Sequence, residues 1–214
     1  MTTSTTTPLQ RWKTFFADRS SVVSGIITLV VVVLTLISYT GFLQAVERRS
    51  GVVFVDSIHR ILGPIDVTWP TFVVLYASLI LALGVLLTRP EHLFRTLRAY
   101  SILVGIRVIC MALLPLDPPM TTIPLHDPFV ALFTSSEHST LTKDLFFSGH
   151  TATLALLALS MPTRSLRIVF ILSTTALATF TVLQHVHYTV DVIVAPMAAL
   201  LAFVLNRGFA AENQ

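Results

Sequence analysis

The stretch VVSGIITLVVVVLTLISYTGFL, residues 22–43, decides the fold class, because no charged side chain interrupts it. A helix needs about 20 consecutive apolar residues to cross the hydrocarbon core of a bilayer. Further apolar runs follow at residues 71–87, 99–114, 145–161, 166–183 and 188–205. The sequence therefore predicts an all-α integral membrane protein with six transmembrane helices. The run at 145–161 is short for a span, so we expect it to start inside the bilayer boundary.

The composition supports the same fold class. Of the 214 residues, 54% are hydrophobic and only 12% are charged, whereas soluble domains contain about 25% charged residues. The net charge of +3 does not indicate nucleic-acid binding, because the basic residues lie in short loops between the apolar runs, where they determine orientation. We therefore expect the bilayer as a partner and no nucleic acid. Oligomer formation stays open.

The chain divides into three regions. Residues 1–20 begin with a Thr-rich segment and are predicted to form a disordered cytoplasmic N-terminus. Residues 21–206 form a six-helix membrane catalytic domain, and residues 207–214 form a short cytoplasmic tail. Within the first outside loop, residues 52–62 carry apolar side chains at helical spacing. This spacing is typical of an interfacial helix on the membrane surface, or of a loop helix packed on protein.

Lys and Arg residues favour the cytoplasmic side of a membrane protein. If the N-terminus is cytoplasmic, the inside segments hold Arg11, Lys13, Arg19, Arg89, Arg95, Arg98, Arg164, Arg167 and Arg207. The outside loops then hold only Arg48, Arg49, Arg60 and Lys143. The sequence therefore predicts that both termini are cytoplasmic. The short chain with no appended domain is typical of a bacterial inner-membrane protein.

The third outside loop, residues 115–144, is long for a protein of this size. Besides Asp117 and Asp144, it contains His126, Asp127, Glu137 and His138. Long irregular loops are often functional, so the loop either covers a site or serves as a solvated connector.

Two polar segments begin apolar runs at the same membrane face. SGHT, residues 148–151, starts the fourth run, and HVHYTVD, residues 185–191, starts the sixth. Helices four and six enter from the same side, which is the outside under the preferred orientation. Ionisable residues inside spans are costly and tend to be functional, so we predict a periplasmic or exoplasmic active site.

His187 and Asp191 are four residues apart and share one helix face. A carboxylate beside a histidine can accept its Nδ1–H, which orients the ring and stabilises the imidazolium. His185 faces elsewhere if the helix already includes it, because six residues rotate a helix by about 240° net.

Ser148 and Gly149 have the features of an anion site at a helix start. Ser is a good N-cap, Gly lets a phosphate approach the backbone, and helix N-termini favour anions. His150, in the first turn, would touch the same anion. Arg107 and Lys143 are candidates for neutralising phosphate charge. Each residue alone also has an ordinary structural explanation, such as a pair of Arg107 with a carboxylate.

These residues carry a resemblance. FSGHT (residues 147–151) and HYTVDV (residues 187–192) resemble the two signature motifs of the sphingomyelin synthase family, a branch of the type 2 phosphatidic acid phosphatase superfamily. Asp144 resembles the acidic residue that precedes the first motif, and His185 resembles the first histidine of the second. Arg107 and Met111 loosely resemble the third-helix arginine motif.

The sequence also departs from that family. Thr142-Lys143 replaces a Cys-Gly pair, and Arg95 and Arg98 replace tandem arginines. The arginine motifs of ordinary lipid phosphatases, K-x6-R-P and S-R-x5-H, are absent from the sequence, which argues against a plain phosphatase.

The resemblance implies a two-step phosphohead-group transfer. His187, oriented by Asp191, would attack the phosphorus of a phospholipid donor carrying phosphocholine or phosphoethanolamine. His150 would protonate the departing diacylglycerol and then activate the hydroxyl of ceramide or a similar lipid alcohol. The expected substrate- or phosphate-binding residues are Ser148, Gly149, Arg107, Lys143, Asp144, His185 and Tyr188.

Three alternatives compete with this transferase hypothesis. The same residues with water as acceptor would make a lipid phosphatase or a phospholipase C-like hydrolase. A transporter or scaffold would use the His and Asp side chains for protons or packing. A metal site at His150, His185, His187 and Asp191 conflicts with the helical rotation between His185 and the other ligands, so we expect no metal and no cofactor.

Overall fold

A computed structural model describes residues 7–125 and 141–211, and within these ranges the chain is helical and forms no strand. The helices are α1 (Pro8–Ala17), α2 (Arg19–Arg48), α3 (Ser57–Ile61), α4 (Thr68–Leu87), α5 (Pro90–Leu113), α6 (Gly149–Ser160), α7 (Arg164–Leu183) and α8 (Thr189–Ala211). The predicted loop residues His126, Asp127, Glu137 and His138 lie outside the described residues.

Five helices in the described part of the chain, α2, α4, α5, α7 and α8, are long and apolar enough to cross a membrane. They confirm a multi-pass α-helical membrane protein. The fourth predicted span corresponds to α6, which has only 12 residues. Six full spans therefore stay a prediction. Within the apolar run 145–161, the helix covers only Gly149–Ser160.

Helix α6 occupies the centre of the bundle, packed against α4, α5, α7 and α8. One apolar cluster joins α6 to α4 and α7 through Leu154, Phe72 and Phe170. A second joins the opposite face of α6 to α5 and α8 through small residues such as Ala152 and Ala199. Because helices approach closely where side chains are small, the start of α6 is held firmly between α5 and α8.

Within the segment 1–20 that was predicted to be disordered, residues 8–17 form a helix. Helix α1 forms because Thr7 and Gln10 make reciprocal hydrogen bonds between side chain and backbone, and Pro8 occupies the first turn. The rings of Phe15 and Phe94 stack with centroids 5.0 Å apart, which attaches α1 to α5. The aromatic contacts that hold α1 in place do not produce an apolar run in the sequence.

The loop between α2 and α4, predicted to lie outside, is less helical than predicted. Only Ser57–Ile61 is helical, while Val52 forms an isolated bridge with Leu116. Gly51 permits this contact, since a Cβ there would lie 2.4 Å from the carbonyl carbon of Leu116. An interfacial position for α3 stays a prediction.

The C-terminal helix is longer than predicted. α8 continues to Ala211, so helix extends into the segment 207–214 that was expected to be a tail. The cytoplasmic location of this end stays a prediction.

Candidate active site

His187 and Asp191 form the predicted pair at the start of α8. The Nδ1 of His187 lies 3.3 Å from Oδ2 of Asp191, and Asp191 is fully buried. The same oxygen accepts the backbone N–H of Tyr188 at 3.0 Å. With Nδ1 directed at the carboxylate, Nε2 is the ring nitrogen left for chemistry.

A backbone hydrogen bond joins the two sequence motifs. The N–H of Ser148 donates to the carbonyl of Asp191 at 3.2 Å. Ser148 is fully buried, and its hydroxyl lies 3.0 Å from Oγ1 of Thr151 rather than capping a backbone N–H. The segment that carries His150 is therefore fixed to the segment that carries His187, while the Ser148 side chain does not block the helix N-terminus.

Arg107 holds the segment that precedes α6. Its Nε donates to the carbonyl of Phe147 at 2.7 Å, and its guanidinium pairs with Asp144 at 2.9 Å. The Tyr39 hydroxyl accepts a further hydrogen bond from Arg107 and donates to Asp144 at 3.1 Å. A buried arginine is thus paired with a carboxylate, as a buried charge requires. This is the carboxylate pairing named among the structural alternatives.

Gly149 lies directly against this arginine. A Cβ at position 149 would be 2.6 Å from Nη1 and 2.7 Å from Cζ of Arg107. His150 follows and is exposed. The residues Arg107, Asp144, Gly149 and His150 line one cavity of about 180 Å³, with walls from α2, α5 and α6.

His185 is buried beneath the outer loops rather than in that cavity. Its Nε2 donates to the carbonyl of Leu62 at 2.9 Å, and its Nδ1 lies 2.6 Å from Oγ1 of Thr121. The ring stacks on His59 with centroids 3.9 Å apart. Both ring nitrogens of His185 are therefore engaged by protein, which favours a structural role over phosphate binding.

Tyr188 and Lys143 also have protein partners. The Tyr188 hydroxyl donates to the carbonyl of Asp117 at 2.8 Å and accepts the N–H of Phe54 at 3.0 Å. Lys143 pairs with Asp117 at 2.8 Å and donates to the carbonyl of Arg49 at 2.6 Å. These contacts connect the loop that contains Phe54 with the loop that contains Asp117 and Lys143. The connection lies next to Tyr188, just before α8.

Asp56 caps α8 from outside that helix. Its carboxylate accepts the N–H of Thr189 at 2.6 Å and the Thr189 hydroxyl at 3.1 Å. Burial raises the pKa of Asp56, but hydrogen bonds from Thr189 and Ile58 together with nearby His59 outweigh burial, so the pKa lies below its usual value. Burial and the neighbouring His185 in turn lower the pKa of His59.

Four residues that position the site were not predicted from the sequence. Tyr39 reads as part of an apolar run, and Asp56 reads as the polar face of an amphipathic stretch. Glu47 accepts the N–H groups of Thr142 and Lys143, both at 3.1 Å, and Asp117 binds Lys143. For the three carboxylates, the sequence did contain a signal. An acidic residue near the end of a span is rare without a partner, so each of them could have been predicted to bind another side chain or backbone group.

The predicted site residues thus fall into groups that meet at Ser148. The cavity on the α5 side contains His150 and Arg107, and the pair on the α8 side contains His187 and Asp191. Among the residues that the structure describes, no group of three or more His, Cys, Asp or Glu side chains is arranged to hold a metal ion.

Residues 143–207 match the family model described as PAP2 superfamily, C-terminal. The matched region contains both motifs, all of α6 and α7 and most of α8. The match supports the type 2 phosphatidic acid phosphatase superfamily and a lipid phosphatase-type or phosphotransferase activity. No curated protein matches the chain.

Proposed function

We propose that this chain transfers a phosphohead group, phosphocholine or phosphoethanolamine, from a glycerophospholipid to ceramide or a similar lipid alcohol, releasing diacylglycerol. The observation that carries the proposal is the hydrogen bond from Ser148 to the carbonyl of Asp191, because it joins the two motifs that hold His150 and His187. The superfamily match over residues 143–207 supports the phosphoryl chemistry.

In the first step, Nε2 of His187 attacks the phosphorus of the donor, and the bond to the diacylglycerol oxygen breaks. His150 gives its proton to that oxygen, and Asp191 stabilises the positive charge that develops on His187. In the second step, His150 takes the proton of the acceptor hydroxyl, whose oxygen attacks phosphorus and releases His187.

The start of α6 suits the phosphate, because Ser148 there is hydrogen-bonded to the segment that holds His187 and Asp191. The first-turn N–H groups of α6 favour an anion there, and Arg107 supplies a positive charge in the cavity beside His150. Asp144 already balances that charge, with 2.9 Å between the two groups. Protonated His150 therefore supplies the net positive charge that a phosphodiester monoanion requires.

The lipid product profile tests the proposal. Purified protein receives ceramide with phosphatidylcholine or phosphatidylethanolamine, and mass spectrometry measures sphingophospholipid and diacylglycerol. We expect both products from the wild type and neither from His187→Ala. The absence of a sphingophospholipid from the folded wild type contradicts the transferase proposal.

Hydrolysis is the second candidate function, favoured by the superfamily match, which supports a phosphatase-type enzyme. Water then replaces the lipid alcohol in the second step, with the same residues. Diacylglycerol release that does not depend on ceramide, or inorganic phosphate release from phosphatidic acid, identifies this activity. His187→Ala abolishes both.

The assigned roles predict a pH profile. His187 attacks as a neutral imidazole, and His150 donates as an imidazolium, so the turnover rate passes through a maximum and falls on both sides. A rate that stays flat from acid to alkaline pH contradicts this division of roles.

A further inference from the structure

The end of the bundle opposite the candidate active site contains a second, strongly basic cavity. It has a volume of about 320 Å³ and lies where α5 begins, α6 ends and α8 ends. Arg89, Arg95, Arg167 and Arg207 line it. Ligand pockets commonly have volumes of about 300 to 1,000 Å³, so this cavity is large enough for a small anionic group.

The arginines of this cavity have no carboxylate partner within the described residues 7–125 and 141–211, although Glu91 lies close enough to affect the lining residue His92. No Asp or Glu lines it, and none of the four arginines forms an ion pair with a described carboxylate. Arg167 is fixed in place, because its Nε donates to the carbonyl of Met161 at 2.8 Å. An anion would therefore meet several guanidinium groups, which form strong hydrogen bonds with phosphate oxygens.

An apolar groove continues from this cavity along the bundle. The groove has a volume of about 540 Å³ and is lined mainly by α7 and α8, including Ile171, Thr175 and Leu200. Arg167, Phe203 and Arg207 line both spaces. The cavity and the groove are therefore adjacent, with positive charge at the end of the helices and mainly apolar walls further along them.

We propose that this cavity and groove bind one anionic glycerophospholipid, with its phosphate among the arginines and an acyl chain between α7 and α8. Basic pockets between helices at the cytoplasmic end of membrane proteins bind anionic head groups. A soluble anion would use the cavity but not the groove. This lipid site is distinct from the candidate active site, which lies at the other end of α6.

Native mass spectrometry of the full chain in neutral detergent tests this site. The micelles contain phosphatidylglycerol and phosphatidylcholine at equal mole fractions. We expect the wild type to retain phosphatidylglycerol preferentially, and Arg167→Gln or Arg207→Gln to lower its retention by roughly fivefold each, since one basic residue near the head group is lost.

Arg164→Gln is the matched control for Arg167→Gln. Both arginines belong to the first turn of α7 and are exposed, but Arg164 does not line the cavity. General attraction to an anionic surface predicts the same loss from either change. An equal loss, or no preference for phosphatidylglycerol in the wild type, overturns the proposal.

A second pair of variants tests the groove. Thr175→Trp fills it, whereas Thr179→Trp adds the same ring one turn further along α7, outside the lining residues. We expect only Thr175→Trp to reduce phosphatidylglycerol retention. Unchanged retention in Thr175→Trp overturns the acyl-chain assignment. Inorganic phosphate and phosphatidylglycerol are also compared by the increase in melting temperature that each causes. An equal increase overturns the proposal of a lipid ligand in favour of a free anion.

Discussion

At the scale of single residues, Gly149 has no room for a side chain beside Arg107. We expect Gly149→Ala to lower turnover by at least about tenfold, because Arg107 is held by Phe147, Asp144 and Tyr39 and must move to admit a Cβ. Such a displacement shifts the start of α6, and catalytic geometry tolerates little displacement. The measurement is the initial rate of diacylglycerol release.

Gly84→Ala is the control for this prediction. A Cβ at position 84 meets no atom within 4 Å, and Ala favours a helix over Gly by up to about 1 kcal/mol. We expect this variant to keep full turnover and equal or greater thermal stability. Equal turnover in Gly149→Ala and Gly84→Ala contradicts the close packing of Arg107 on the site.

The proposed role of Asp191 requires a negative charge, which its neutral analogue lacks. Oδ2 accepts hydrogen bonds from both His187 and the Tyr188 backbone, whereas an amide oxygen carries no charge to stabilise the imidazolium. We expect Asp191→Asn to lower kcat by at least about a hundredfold with little change in KM. A rise in KM at unchanged kcat contradicts the orienting role of Asp191.

The sequence predicts some of these residue-scale contacts and misses others. The i,i+4 spacing predicts the contact between His187 and Asp191, although His187 lies in the bend just before α8 and not on the helix itself. The contacts of Tyr39 with Asp144 and of Asp56 with Thr189 join residues 105 and 133 positions apart. Such contacts depend on how helices pack, and one sequence does not contain that information.

At the scale of elements, the start of α8 depends on a cap from the first outside loop. Asp56 accepts the Thr189 N–H and also caps α3 through Ile58, at 2.8 Å. We expect Asp56→Ala to lower the free energy of unfolding by about 1 kcal/mol and to lower turnover, because His187 lies just before the capped helix. Thermal unfolding and turnover measure both effects.

The stabilisation from Asp56 depends on pH in a defined direction. A carboxylate whose pKa is lower in the folded state stabilises above its unfolded pKa, about 3.9 for Asp. The charge-dependent part of the stability difference between wild type and Asp56→Ala is therefore constant near neutrality and disappears as the pH falls through the lowered pKa. A difference that is as large in strong acid as near neutrality contradicts this account, and Asp56→Asn, which keeps the acceptor, is the matched control.

Element prediction was accurate where hydropathy decides and inaccurate where local contacts decide. The long helices follow from apolar runs because a bilayer requires internal backbone hydrogen bonding. Helix α1 depends on a capping box at Thr7 and on aromatic contacts, and the extended part of the first outside loop depends on Leu116. Neither helix α1 nor the extended part of this loop produces a long apolar run in the sequence.

At the scale of the whole molecule, the orientation of the bundle can be tested directly. Cys110 is the one cysteine of the sequence, so Cys110→Ser provides a background for single-cysteine variants. Gly63→Cys lies at the candidate-site end and Gln10→Cys at the opposite end, both at exposed positions. In intact cells, we expect a membrane-impermeant maleimide to label Gly63→Cys but not Gln10→Cys.

Lysed cells provide the control, since both cysteines should then react. The expectation follows from the excess of arginine at the end that contains α1. Labelling of Gln10→Cys alone in intact cells reverses the orientation and moves the proposed active site to the cytoplasmic face.

The length of α6 determines how a lipid reaches the reaction centre. Its 12 residues rise about 18 Å, against a hydrocarbon core of about 30 Å. If the arginine-lined end of α6 lies at one membrane surface, we expect His150 to lie well below the opposite surface. On the proposed function, we then expect a donor lipid to arrive sideways within its leaflet, without leaving the membrane. The rate is then governed by the mole fraction of donor in the leaflet and by two-dimensional diffusion, and diluting the vesicles in buffer leaves turnover unchanged.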